Sequence, residues 1–229
     1  MNERTIERIF YHDLLNLASS LRGIAEVIAD VDEATRGELL ALLGDVSETL
    51  IETINARRLY RSMETQDLSL NASTLDCEKL LQQTAARYKR HTLCQDKAAE
   101  IRQPAPPSSH TPISLVTDKD VLQGALGYAI RTALAIIPRA HSITLDVTRE
   151  ASGLSQAVVF SISFPGTLSK EENELIFKKP QADASLTFLF PAYVFHTLIT
   201  TSLHGRVNCI AKDNALLLTA RFEGYPSSP

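Results

Sequence analysis

The chain has no tryptophan, only three cysteines and only nine glycines among 229 residues. With aromatics at 6%, its core has to be built from Leu, Ile, Val and Ala. Cys77, Cys94 and Cys209 are odd in number and widely spaced, with no Cys-x-x-Cys and no Cys/His zinc spacing. That argues against a disulfide framework and for reduced thiols in a cytoplasmic protein. Positive charge is not in excess either. The net charge is -4, so the concentrated basic surface of a nucleic-acid binder is not expected. No run of 18 uncharged apolar residues occurs, so no membrane span is expected. The opening "MNERTIERIF" lacks the apolar stretch of a secretory signal. Gly-x-Ser-x-Gly, P-loop, dinucleotide and HExxH patterns are missing as well. His91, His110, His141, His196 and His204 make no i, i+4 metal pair and read as structural or surface residues.

Two periodicities are present instead. Phe10, Leu14, Leu17, Leu21, Ile24 and Ile28 recur with gaps of 4, 3, 4, 3 and 4. At about 100° per residue they form one apolar stripe on a helix. A turn at "ADVDEA" follows, with Asp32 as its helix cap. Leu39, Leu43, Val46, Leu50 and Ile54 then continue the pattern, so residues 3–63 read as an antiparallel helical hairpin. Such a hairpin has little core of its own. A second copy would complete a four-helix bundle, so a homodimer is expected.

After the polar "METQDLSLNAS" the pattern becomes mixed. A helix capped near Ser73, a strand at "AAEIRQ", a proline-rich loop, a strand at "ISLVT" and a helix ended by Pro138 follow in order. Two strands joined near Gly153 come next, then a short helix at "SKEENELIF" and a longer one closed by Gly205. A hairpin around "DN" and a frayed "EGYPSSP" tail end the chain. The fold class expected is α+β, with residues 1–66 as the hairpin and 67–229 as a domain whose sheet is covered on one side by helices.

The stretch "FYHDLLN" sets a histidine into the first helix. Measured from Phe10, His12 falls at about 200°, Ser19 at about 180° and Asn16 at about 240°, opposite the seam. An exposed imidazole is a usable nucleophile when neutral. Asp13 is placed to accept a ring N–H and stabilise the cation, and Asn16 at i+4 to hydrogen-bond the ring. Spacing alone does not separate this reading from a solvated helix surface.

"FYHDLLN" on a helical hairpin, followed by an α+β domain of about 150 residues, resembles the sensor histidine kinases. These carry a phosphorylatable histidine in an H-D/E-x-x-N/T motif on a dimeric four-helix bundle, ahead of a Bergerat-type ATPase domain. The resemblance implies His12 as phosphoacceptor, Asp13 as its acid/base partner and Asn16 as a supporting polar group. The second half departs from the kinase pattern. Tyr128 and Thr132 in "YAIRTA" stand where magnesium-binding asparagine is expected, and Phe164 stands in the place of the adenine-binding aspartate. Phe190 and Ala192 replace phosphate-binding glycines, and "KKPQADAS" is short for an ATP lid.

An acceptor histidine without an ATP site resembles the bundle-type histidine phosphotransferases of bacterial phosphorelays. The expected reaction is transfer between receiver-domain aspartates through His12. No cofactor is implied for this chain, and magnesium is expected only on the partner receiver. The expected partners are response-regulator receiver domains and a second copy, with neither nucleic acid nor membrane. Leu15, Ala18, Ser19 and Arg22 beside His12 are the expected docking residues, and Arg57 a further basic candidate. A non-catalytic adaptor or inhibitor, an active kinase and an unrelated hairpin protein remain open alternatives.

Overall fold

The computed structural model describes residues 3–104, 112–152, 155–180 and 188–225. The chain begins with two long helices, α1 (Glu3–Val27) and α2 (Glu33–Glu64), packed side by side. Asp32 caps α2 in extended conformation, its carboxylate accepting from the Thr35 N–H at 2.9 Å and the Thr35 hydroxyl at 3.0 Å. Arg36 closes the turn by donating to the carbonyls of Ile28 and Val31. Ile24 and Val46 are buried in the seam, while Leu14, Leu17, Leu21, Leu39 and Leu43 are half-buried.

The expected stripe on α2 needs correction. Ile54 is 37% exposed, and the buried positions are Val46, Thr49, Ala56 and Tyr60. The reason is that α2 has two neighbours, α1 on one flank and the second half of the chain on the other. Ala56 and Tyr60 belong to the same continuous core as the sheet.

The helix expected from Ser73 starts only at Cys77. Residues before it form strand β1 (Ala72–Asp76), paired antiparallel with β3 (Ser114–Asp118) in a two-stranded sheet with Leu75 opposite Leu115. That partner is remote in sequence, so local pattern could not reveal it. Asp76 caps α3 (Cys77–Lys89), accepting from the Lys79 N–H at 2.9 Å. A short α4 (Thr92–Lys97), not expected, precedes β2 (Glu100–Arg102). Helix α5 (Lys119–Ile136) is capped by Asp118, whose two carboxylate oxygens accept from the N–H groups of Val121 and Asn71.

Strands β4 (Ser142–Ser152), β5 (Ser155–Pro165), β6 (Arg206–Lys212) and β7 (Ala215–Tyr225) join β2 in a five-stranded sheet of order β2-β4-β5-β7-β6. Only β2 runs parallel to its neighbour, so the sheet is mixed. Alternation sends Leu145, Phe160, Ile162, Phe164, Leu216 and Leu218 to one buried face, which the helices cover. Ser161, Ser163 and Thr219 on the other face are half-buried. Between β5 and β6 lie α6 (Lys170–Leu175), held by a Ser169–Glu172 capping box, and α7 (Leu189–Thr197), which continues as a π-helical turn at Leu198–Ser202.

Gly205 does not act as a left-handed cap, because His204 takes that conformation (φ 55°). Glycine is needed instead for close approach. A Cβ there would lie 2.9 Å from Ile199 Cγ2 and from Phe222 Cε1. Asp213 and Asn214, at φ 51° and 60°, make the tight turn between β6 and β7. The expected frayed tail begins later than Glu223, because β7 extends to Tyr225. The turn at Gly153, most of the proline-rich loop and the Gln181–Ser185 part of "KKPQADAS" lie outside the described residues. All three cysteines are free. Burial pushes the Cys77 and Cys94 thiols up to about 12 and that of Cys209 to about 11, which disfavours the thiolate in all three.

Candidate functional site

Helix α1 presents His12 to solvent together with Tyr11, Leu15, Asn16, Ala18, Ser19 and Arg22. One helical turn separates His12 from Asn16, and the Asn16 amide nitrogen lies 3.2 Å from His12 Nδ1 and 3.4 Å from Nε2. The i, i+4 amide therefore orients the ring. The amide N–H donates, so the ring nitrogen it meets is the one that carries the lone pair. Asp13 belongs to α1, and its side chain lies outside the described residues. Leu15, next to His12 on the helix surface, is 66% exposed. Arg22 pairs along the helix with Glu26 at 2.7 Å, both side chains well exposed, a contact worth little on its own.

Arg57 is corrected from docking candidate to structural cation. Its side chain is 13% exposed, lies 3.7 Å from Glu7, and places its guanidinium over the Phe10 and Tyr60 rings.

Of the positions singled out in the second half, Tyr128 and Phe190 meet between α2, α5 and α7. The Tyr128 hydroxyl donates to the Ala56 carbonyl of α2 at 2.7 Å. Thr132 is buried and donates to the Tyr128 carbonyl. Phe190 meets the rings of Tyr60 at 5.0 Å and Tyr128 at 6.4 Å, both edge-on. Phe164 and Ala192 are buried. Aromatic side chains thus occupy the space where the three elements converge.

Beside them lies a charged cluster that sequence reasoning missed. Glu52 of α2 is paired with Arg131, accepts from the Tyr88 hydroxyl at 2.7 Å and lies 3.3 Å from His91 Nε2. Burial by itself would raise the Glu52 carboxyl, but the Arg131 charge, His91 and Tyr88 outweigh it and hold it at about 2. His91, expected as an ordinary structural or surface residue, is buried and stacks on Tyr88 with ring centroids 5.1 Å apart. No pattern signal marked Glu52. A glutamate on the helix face away from the Leu43 stripe reads as solvated until its second neighbour is known.

Among the described residues no group of three or more His, Cys, Asp or Glu is placed to hold a metal ion. Among them, too, no helix is long and apolar enough to cross a membrane.

No family profile matches the chain. No curated protein matches it in sequence. Its structure, however, is similar to solved histidine kinases. The Acinetobacter baumannii histidine kinase AdeS aligns over 92% of this chain and 96% of its own, with a TM-score of 0.51 and 17% identity. The catalytic domain of the histidine kinase ThkA aligns over 69% of this chain and 99% of its own, with a TM-score of 0.52 and 11% identity. Full-length ShkA, solved in complex with AMPPNP, aligns over all of this chain, which spans 47% of that protein, with a TM-score of 0.55 and 16% identity. At these identities the likeness establishes a histidine-kinase-like fold, an α+β ATPase-like domain behind a helical segment.

Proposed function

We propose that this chain is a dimeric histidine phosphotransferase of a bacterial two-component phosphorelay. The observation that carries the reading is His12, exposed on the first helix of a histidine-kinase-like fold with Asn16 against its ring. A receiver's aspartyl phosphate passes its phosphoryl group to an imidazole nitrogen, the P–O bond breaking as the P–N bond forms. The reverse step loads a second receiver. Asp13 is the acid/base partner in this scheme, and the partner receiver brings magnesium and most of the transition-state charge stabilisation. Leu15, Ala18, Ser19 and Arg22 form the docking surface around the histidine. Tyr60, Tyr128 and Phe190 support a reaction without ATP, because aromatic rings fill the convergence of α2, α5 and α7. The half-buried seam, with Leu40, Ile51 and Ile54 exposed on α2, supports a second copy completing a four-helix bundle.

The test is phosphotransfer without ATP, using phosphorylated receivers from the same organism with wild type and His12→Gln. Acid-labile label on the wild type and none on the variant is the expected result. Stable receiver complexes with no label on His12 would replace this reading with a non-catalytic adaptor or inhibitor. ATP-dependent labelling of His12 would make the chain a kinase. Leu21→Asp is expected to give monomers by light scattering, because it puts an unpaired charge into the seam. An unchanged dimer would remove the bundle.

A further inference from the structure

We infer that Glu52 locks the hairpin to the second domain in a single register, so that the two halves of the chain open together and not as separately moving parts. The inference does not depend on chemistry at His12.

Glu52 sits midway along α2 and is met from two sides. Tyr88 comes from the end of α3 and His91 from just beyond it, while Arg131 comes from α5. One carboxylate oxygen takes the Tyr88 hydroxyl, and the other takes Arg131 and faces His91. The Arg131 guanidinium also lies over the Tyr128 ring at 5.8 Å, and Tyr128 itself reaches back to the Ala56 carbonyl, one turn along α2 from Glu52. Arg131 Nε is buried without a hydrogen-bond partner among the described residues, so its charge is answered through Glu52.

Close approach is written into α5. A Cβ on Gly124 would overlap Leu59 Cδ2, and one on Gly127 would stand 2.8 Å from the Tyr88 hydroxyl. The contact continues to the end of α2, where Glu64 meets Lys179 at 2.8 Å.

A buried ion pair is a poor source of net stability but a strong constraint on geometry. If α2 slid or turned by one residue, Glu52 would leave its donors, and Arg131 would stay buried as an uncompensated charge. An apolar neighbour such as Met63 leaves no uncompensated charge when it shifts, since apolar packing is not directional. A cleft of about 540 Å³ runs beside the cluster, bordered by Glu52, Asn55, Arg58, Asp118 and Gln123. The junction is therefore only partly dry, and packing density alone does not immobilise it. The directional bonds to Glu52 do.

Native-state hydrogen exchange on the full chain tests this. In wild type, the slowest amides of α2 near Glu52 are expected to exchange with the same denaturant dependence as those of β5 and β7, through one global opening. Independent, faster exchange of α2 in wild type would overturn the inference without any variant. In Glu52→Gln, or in Arg131→Met should that fold better, α2 exchange is expected to rise at least about tenfold through a partial opening while β5 and β7 stay protected. Unchanged α2 protection in a folded variant would overturn it. An equal loss across α2, β5 and β7 would do so too, since Glu52 would then be only one more contributor to a common core.

Discussion

The two helices of the hairpin look alike in sequence and differ in what surrounds them. α1 has one fully buried side chain among those described, Ile24, and turns the His12 face to water. α2 buries Val46, Thr49, Ala56 and Tyr60 and carries the Glu52 cluster on a second face. A heptad-like stripe reports one contact surface. Where a helix has two, the second is written in isolated small, aromatic and charged residues and escapes a periodicity count. α1 can therefore accept changes and partners that α2 cannot.

Four measurements would break or sharpen that contrast. The largest effect belongs to the core that α2 joins. Phe160→Ala removes a fully buried ring of β5, with an expected loss of about 3–5 kcal/mol in urea unfolding. A loss under about 1 kcal/mol would mean that the sheet core is loosely packed.

Acid should act next, and through α2. The folded carboxyl of Glu52 is held at about 2 against its ordinary 4.5, so the folded state resists protonation more than the unfolded chain. Its contribution is present above pH 4.5 and is lost as pH falls toward 2. Glu52→Gln should flatten that part of the stability curve. An identical acid limb in the variant would assign the loss to other carboxylates.

Asp118→Ala should follow, at about 1–2 kcal/mol. It removes the α5 cap and leaves the Asn71 N–H without its acceptor. Thermal melts would read the change, and asparagine at 118 should restore part of it.

The smallest stability effect is expected on the open face of α1. Leu15→Ala should change unfolding by less than about 0.5 kcal/mol, because that side chain is already in water. If the docking surface is assigned correctly, receiver affinity should fall while stability holds. A clear stability loss would show that the His12 face is covered in the protein as it exists in solution.

Much of this architecture is legible in the sequence. The hairpin, its Asp32 cap, the α5 helix, the paired strands β4 and β5 and the closing β6–β7 turn all follow from local patterns. Strand β1 escapes a local reading, which favours helix there, because its partner β3 is remote in sequence. Helix α4 was missed because six residues hold too little periodicity. The cap at Gly205 was misassigned because a glycine required for close approach looks, in sequence, like one required for its backbone angle.

The site divides the same way. Helical spacing by itself determined that His12, Asn16 and Ser19 share a face away from the seam, because 100° per residue is a property of the local backbone. Only the tertiary structure decided what lies against the rest of the hairpin. It turned Arg57 from a surface cation into a half-buried one packed on Phe10 and Tyr60, and brought Glu52 to Tyr88, His91 and Arg131 from 36 to 79 residues away in the chain. Contacts between such distant side chains depend on how whole elements pack, and no window along the sequence contains that information.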